Sequence, residues 1–473
     1  MISIEAAAPP SLRRRAVGAL LGAPTDWQIR RPHIGVPVPG LHWVGPSAVL
    51  ASVAASWFAF TGAVGEDGSV TFGLFIGAVS IVLMAWSFLL AVRLRLLEPL
   101  FGGLDSMYRV HRWAGALAVA AMFLHTQNEP EIENGIRGAS KSMADAAEGL
   151  AGTGQTMLYI LVGLSIVRWL PYRWWRWTHK LLGIPFVFAS WHFFTAEKPY
   201  ANGSGWGVYF GTIMVIGIAS YVARVLIRDP LLRGVRHRVS AANLQGETIE
   251  LVLEPTDAPL RHRAGQFAVV KIQQRGLTEP HIFTIASGPD EEALRFFIKN
   301  LGDWTAAVHR ADLDGVDVIV EGPYGRFEPI PDRPTRTVWI AGGVGITPFL
   351  SAIASLPPSK PSERPVLYYA VRGEEQAMAI ETLRVAADRG IIDLEICSSS
   401  AGRRFSEQLL VERFGPGGLV GAHVAVCGPA GLVASVRRIG ASMRASRVEH
   451  EDFDIRQGFG PDLSRPIAEL IAR

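Results

Sequence analysis

Four histidines fall within apolar stretches of the chain, His111 and His125 on one and His179 and His192 on another. Their separations of 14 and 13 residues span about 20 Å of helix, enough to set one ligand near each face of a bilayer. If the two stretches run in the same direction, His111 meets His179 and His125 meets His192. Neutral imidazoles in two stacked pairs suit the axial positions of two b-type haems. Cys397 and Cys427 are the only cysteines, so a Cys-x-x-Cys-His attachment motif is absent and neither a disulfide framework nor a cysteine-held cluster is expected. The plainer alternative is that each histidine is a hydrogen-bonded polar residue at a helix contact. Fourteen residues return to within about 40° of the same helix face, whereas 13 leave an offset of about 140°. Gly183 and Pro185 lie between His179 and His192, so the spacing predicts an irregular helix there.

A second set of motifs lies in the C-terminal half. The run His281-Ile-Phe-Thr-Ile-Ala-Ser287 offers a strand end with hydroxyls at Thr284 and Ser287, along which a flavin ring could lie. Lys299-Asn-Leu-Gly-Asp-Trp-Thr305 follows, where Gly302 permits close backbone approach and Thr305 could open a helix whose amides hold a pyrophosphate. Gly322-Pro-Tyr-Gly325 places Tyr324 on a turn. Ala341-Gly-Gly-Val-Gly-Ile-Thr-Pro-Phe349 follows a strand and opens a helix, the context of a glycine-rich phosphate loop through Gly343, Gly345, Thr347 and Pro348. Arg372, after the next strand, is placed to grip a ribose 2′-phosphate, with Arg403 and Arg404 as possible helpers or as solvated loop residues. Cys427-Gly428-Pro429 ends a further strand at the same edge, where a nicotinamide would lie; Cys427 is equally a small buried residue.

These residues need a membrane half and a soluble half to hold them. The chain has 473 residues, 49% hydrophobic and 19% charged, a net charge of +3 and a mean hydropathy of +0.22. That balance excludes a disordered chain and argues against a nucleic-acid partner. Apolar stretches at about 44–64, 70–92, 109–127, 152–170, 177–195 and 205–227 suggest six spans of roughly 20 residues each. The run after Arg13, Arg14 and Arg15 is too short for a cleavable signal peptide. Arg93, Arg95, Arg109, Arg112, Arg173, Arg176, Lys180 and Arg224 fall on one side of these spans, which puts both termini in the cytoplasm, and the longest outer loop is expected at 128–151. After residue 229, alternating runs such as 248–253 and 266–272 predict an antiparallel β-barrel. From Thr337, strands at 338–341, 366–370, 394–397 and 423–427 alternate with helices, predicting a doubly wound parallel sheet. The expected layout is 1–43 cytoplasmic, 44–228 a six-helix transmembrane haem bundle, 229–333 a flavin-binding barrel and 334–473 a nucleotide-binding α/β domain.

As a set and in order, the histidine pairs and the soluble motifs resemble the NADPH oxidase and ferric reductase superfamily of transmembrane flavocytochromes b. The resemblance implies that His111 with His179 binds an inner haem and His125 with His192 an outer one. It implies that His281, Phe283, Thr284 and Ser287 contact FAD, Gly302 and Thr305 its pyrophosphate, and Gly343 to Pro348 the dinucleotide. Phe453, in Glu451-Asp-Phe-Asp-Ile-Arg456, looks like the family's flavin-stacking aromatic, although 17 residues follow Arg456. Ile282 replaces the usual proline of His-Pro-Phe-Thr. Glu129 stands where oxygen-reducing members carry a further histidine, and no arginine occurs between 44 and 64. The implied activity is transfer of electrons from cytoplasmic NADPH, or NADH, through FAD and two haems to an acceptor beyond a plasma or inner membrane. Oxygen giving superoxide is the expected acceptor and a ferric chelate the alternative; no residue is required as acid or base. The rival class is a six-helix transporter or receptor that senses a nucleotide and binds no haem.

Overall fold

The structure, a computed structural model, describes residues 41–61, 68–94, 96–128, 132, 135–166, 170, 172–228, 234–331 and 335–450. The N-terminal segment to residue 40, Glu129 and Phe453 lie outside the described residues. Those between 41 and 228 form one compact unit and those between 234 and 450 another.

The first unit is helical: α1 (Leu41–Phe58), α2 (Gly68–Ala91), α3 (Leu104–Asn128), α4 (Lys141–Ile166), α5 (Tyr172–Lys180), α6 (Gly183–Thr195) and α7 (Gly205–Val222), which runs on as a π-helical turn Ala223–Arg228. Every residue of α2 from Ala78 to Ala85 is buried, so this helix is surrounded by its neighbours. Ser80 on α2 donates to the carbonyl of Ala118 on α3 at 2.9 Å, which satisfies a hydroxyl within the apolar interior. Trp113, Leu117, Phe123 and Leu124 of α3, Ile160 of α4 and Val215 of α7 are exposed, an outward apolar face of the kind a bilayer covers.

Among the described residues three helices, Gly68–Ala91, Lys141–Ile166 and Gly205–Ile227, are long and apolar enough to cross a membrane. The other expected spans are helical but fall short for local reasons. Arg109, His111 and Arg112 interrupt the apolar character of α3. The fifth span breaks at Leu181–Leu182 into α5 and α6, and Pro185, which cannot donate a backbone hydrogen bond, sits in the first turn of α6. That break lies between His179 and His192, where the 13-residue offset requires one. Helix α4 begins about ten residues before its expected start, inside the segment 128–151 assigned to a loop. Its first turns, Lys141-Ser-Met-Ala-Asp-Ala-Ala-Glu148, are polar but rich in good helix formers, so hydropathy undercounts them.

The second unit contains two sheets. β1 (Val235–Gln245), β2 (Thr248–Pro255), β3 (Phe267–Ile272), β4 (His281–Thr284), β5 (Leu294–Lys299) and β6 (Asp317–Tyr324) form an antiparallel sheet in the order β4-β3-β6-β1-β2-β5. Alternation buries Ile249, Leu251 and Leu253 of β2 against Phe296 and Ile298 of β5 and Val318 and Val320 of β6. Ladder pairing does not close this sheet into the expected barrel. β4 is four residues long and lies near β5 without a ladder, and the loop after it joins β5 through the Ala286 N–H to Arg295 O at 2.8 Å.

The second sheet is wholly parallel: β7 (Thr337–Gly342), β8 (Val366–Val371), β9 (Asp393–Ser398), β10 (His423–Cys427) and β11 (Arg447–His450), in the order β9-β8-β7-β10-β11. All six residues of β7 are buried, as a central parallel strand requires. The strand order reverses between β7 and β10, and ligands of such sheets bind at the carboxyl ends of that pair. The two sheets are tied by Ser351 Oγ donating to Ser287 O at 2.6 Å and by Trp339 Nε1 donating to Pro329 O at 2.8 Å.

A third tie is pH-sensitive. The Glu328 N–H donates to Glu449 Oε1 at 3.0 Å, while Oε2 lies 3.3 Å from Arg447 and 3.8 Å from His423. Burial outweighs the arginine and pushes the Glu449 carboxyl from 4.5 up to about 7. A raised pKa means that ionisation opposes folding. The carboxyl's contribution is therefore full below about pH 4.5 and is lost as pH rises through about 7. Thermal melts should show a loss on the order of 2 kcal/mol between pH 5 and 8 that Glu449→Gln abolishes; parallel pH profiles of the two proteins would refute it.

Candidate electron-transfer site

Three of the four histidines are held from behind by partners on neighbouring helices. His111 Nδ1 lies 2.9 Å from Ser87 O and 2.8 Å from Ser87 Oγ, and His125 Nδ1 lies 2.8 Å from Gly73 O. His179 Nδ1 lies 3.0 Å from Ser165 Oγ, whose own hydrogen goes to Leu161 O, so the imidazole is the donor. An Nδ1–H so engaged fixes the tautomer and leaves Nε2 with its lone pair, as a metal ligand needs. Trp175 stacks on His179 at 5.0 Å and 12°, restraining its ring.

His111 and His179 face one another with ring centroids 6.1 Å apart. Two imidazoles each about 2 Å from one metal ion would put their centres about 6 Å apart, so donor type and spacing both fit an iron between them. His125 and His192 lie within electrostatic range of each other. His125 is also tightly seated: a Cβ added at Gly77 would come within 2.7 Å of its Nδ1, so only glycine leaves room for the ring. Among the described residues no cluster of three or more His, Cys, Asp or Glu side chains could hold a bare metal ion.

In the antiparallel sheet, His281, Phe283 and Thr284 fall on β4, with Ser287 just beyond. The His281 ring stacks on Trp304 at 3.9 Å, a contact not foreseen although Trp304 lies in the Leu-Gly-Asp-Trp-Thr run. Ser287 is fully buried, and its Oγ accepts the Arg295 N–H at 3.2 Å. The helix α8 (Asp303–Arg310) opens at Asp303 rather than at Thr305. Thr305 instead takes the N–H groups of Leu301 and Gly302 at 2.9 and 2.8 Å, closing the turn from its third position. No atom lies within 4 Å of a Cβ built on Gly302, so the approach to this turn is open to a ligand. Lys299 pairs with Glu247 at 3.5 Å, and Tyr324 is buried with its hydroxyl on Glu321.

At the β7/β10 switch point, Gly343 adopts φ +54° and a Cβ there meets nothing, whereas a Cβ on Gly345 would lie 2.1 Å from the Cys427 carbonyl. Gly343 thus faces open space and Gly345 seats the loop on β10. The loop leads into α9 (Thr347–Ile353), all seven residues of which are buried, with Pro348 in its first turn and Thr347 Oγ1 on Val344 O at 3.0 Å. Helices α10 (Ile380–Asp388) and α11 (Glu407–Phe414) follow along the chain; Cys427 is buried, and Gly428 and Pro429 lead into α12 (Ala430–Ser442). Arg372 is exposed with no side-chain partner among the described residues, and its carbonyl takes Ser398 Oγ at 3.1 Å and Ser400 N at 2.7 Å. Arg403, by contrast, is engaged by Glu395.

Family models follow this division of the chain. A ferric reductase like transmembrane component matches residues 76–190, an FAD-binding domain 234–328 and an oxidoreductase NAD-binding domain 339–438. Ferric reduction oxidase 7 of Arabidopsis thaliana is 24% identical over 60% of this chain and 40% of its own length. Ferric reduction oxidase 8 of the same plant is 34% identical over 30% and 22%, and its respiratory burst oxidase homolog protein E 24% identical over 47% and 27%. The chain belongs to the NADPH oxidase and ferric reductase superfamily. Its first unit is thus a ferric-reductase-like transmembrane domain, and its second unit an FAD- and NAD-binding module of oxidoreductase type. Within this superfamily the chain spans well under half the length of the relatives it matches.

Proposed function

We propose that this flavocytochrome carries electrons from cytoplasmic NAD(P)H across a plasma or inner membrane to an acceptor on the outer face. The layout that goes with it is 1–43 cytoplasmic, 44–228 a six-span haem domain, 229–333 an FAD domain and 334–473 a nucleotide domain. When bound, the nicotinamide supplies a hydride, FAD splits it into single electrons, and two b-type haems relay them. The chain's own residues bind and orient. His111 with His179, and His125 with His192, present Nε2 atoms; Gly302 and Gly343 leave the backbone open to phosphates; Gly345 presses the nucleotide loop against Cys427. His281, Phe283, Thr284 and Ser287 line the flavin side, with Tyr324, Lys299 and Phe453 as further contacts. No acid or base is needed, because protein groups act through position and local charge.

The observation that carries this reading is the 6.1 Å opposition of His111 and His179 with their Nδ1 atoms engaged behind them. Its test is the optical spectrum of the detergent-solubilised protein with FAD, before and after NADPH. Haem bands that sharpen and shift on reduction are expected; a spectrum without haem would return the chain to a nucleotide-sensing transporter or receptor. Oxygen giving superoxide is the first acceptor. The several relatives named ferric reduction oxidases favour a ferric chelate as the second. Turnover that superoxide dismutase intercepts supports oxygen, and faster, dismutase-insensitive turnover supports the chelate.

Arg372 carries the coenzyme preference. Its guanidinium is uncommitted, unlike that of Arg403, which Glu395 already holds. Arg372→Ala should raise KM for NADPH about tenfold or more and leave that for NADH within twofold, since one charged hydrogen-bonding contact is worth about 1.5–3 kcal/mol. An unchanged NADPH to NADH ratio would exclude the role.

A further inference from the structure

A helix leaves its last four carbonyls without intrahelical partners, and α6, which carries His192 in its final turn, ends in the interior of the first unit. Each of these carbonyls is taken. His192 O accepts the Ala196 N–H at 2.8 Å, Thr195 O accepts the Gly138 N–H at 3.3 Å, and Phe194 O accepts Asn202 Nδ2 at 3.0 Å. Lys198 supplies the rest: its Nζ donates to Phe193 O at 2.9 Å, Ala196 O at 3.0 Å and Phe194 O at 3.3 Å. All three ammonium hydrogens are therefore used on one helix end. The side chain is 3% exposed, and among the described residues no carboxylate pairs with it, since the adjacent Glu197 is bound to Arg137. Burial lowers the ammonium only to about 8, so it is charged at neutral pH.

Neutral groups such as Asn202 already cap carbonyls here, so satisfying backbone oxygens does not by itself require an ion. A buried, uncompensated cation is rare in folded proteins and rarer near a membrane interior. It stands where it acts on one site. Phe193 O, which holds it, belongs to the residue after His192, and the Phe193 ring lies 5.6 Å from Nζ.

We propose that Lys198 is a positioning residue of the His125 and His192 site, fixing the last turn of α6 while its charge raises the reduction potential of the metal bound there. This rests on the reading of that pair as haem ligands. A fixed positive charge in a low-dielectric setting destabilises the oxidised, more positive centre relative to the reduced one. Electron passage from the His111 and His179 site toward the second pair is thereby favoured.

The experiment is an optical redox titration of the full-length, haem-loaded protein in detergent, which resolves two one-electron components. Lys198→Gln, which keeps hydrogen-bonding capacity and removes the charge, should lower one midpoint so that its equilibrium constant falls about tenfold, about 59 mV for a one-electron couple, and leave the other unmoved. Lys198→Arg should keep both midpoints. Asn202→Ala removes a cap from the same helix end without changing charge and should also keep both. Unchanged midpoints in Lys198→Gln with both haems bound would overturn the proposal while sparing the electron path, as would an equal fall in Asn202→Ala. If Lys198→Gln does not accumulate, a lowered midpoint in Lys198→Arg overturns it and a retained one supports it. A wild-type protein that binds no haem overturns both readings.

Discussion

Replacing His125 by alanine should remove roughly half of the haem absorbance and leave the other half, with its spectrum unshifted, on His111 and His179. Reduction of an external acceptor should fall by at least about 100-fold, because loss of a mere outer-shell partner of a metal ligand already costs about 10–100-fold. Reduction of FAD by NADPH should be unaffected, since the nucleotide and flavin motifs lie in the other unit. The selectivity follows from how His125 is held. Its Nδ1 donates to Gly73 O at 2.8 Å, and a Cβ on Gly77 would come within 2.7 Å of that atom, so the ring is held in one seat that alanine leaves empty. Haem quantitation with steady-state acceptor assays decides the matter. Complete haem loss would mean that the two pairs do not bind independently, and full retention would mean that His125 is not a ligand.

Gly345→Val should have the second largest effect, on the opposite end of the electron path. Its Cβ would fall 2.1 Å from the Cys427 carbonyl and 2.5 Å from the Cys427 carbonyl carbon, backbone atoms that cannot swing aside. The loop must then lift from β10 at the switch point. Overpacking of this kind destabilises by about 1–3 kcal/mol. A displacement near 1 Å of a bound reactant costs about 100-fold in rate, so flavin reduction by NADPH should slow by that order in stopped-flow measurements. Gly431→Ala is the matched control. It lies one turn along from the same edge, where an added Cβ meets nothing, and should leave the rate unchanged. Equal rates in Gly345→Val and the control would remove the nucleotide loop from this site.

The effects of these substitutions could be framed from sequence because the residues involved announce themselves by spacing. Histidines 14 and 13 apart within apolar runs, a glycine loop between a strand and a helix, and a proline before His192 are one-dimensional signals of three-dimensional constraints. The strands at 248–253, 266–272, 338–341, 366–370, 394–397 and 423–427 were legible for the same reason, since period-two alternation and buried apolar runs depend on local chain order. Hydropathy was less informative at helix ends. The polar but helix-favouring start of α4 reads as a loop, and α3 reads weakly because arginines flank His111.

What the sequence determined on its own was the inventory and order of parts: which side chains can ligate, which backbone can approach a phosphate, and where the membrane half gives way to the soluble one. The tertiary structure alone decided which of these are free to act. It set Arg403 on Glu395 and left Arg372 uncommitted, and it turned Thr305 inward to close its own turn. It also engaged three of the histidines through Nδ1. It buried Lys198 under the carbonyls of Phe193, Phe194 and Ala196 at the end of the helix that bears His192. The reason is common to all of them. A hydrogen bond or ion pair depends on separations of about 3 Å between groups that are often far apart in the chain, and sequence spacing constrains such distances only within a helix or strand.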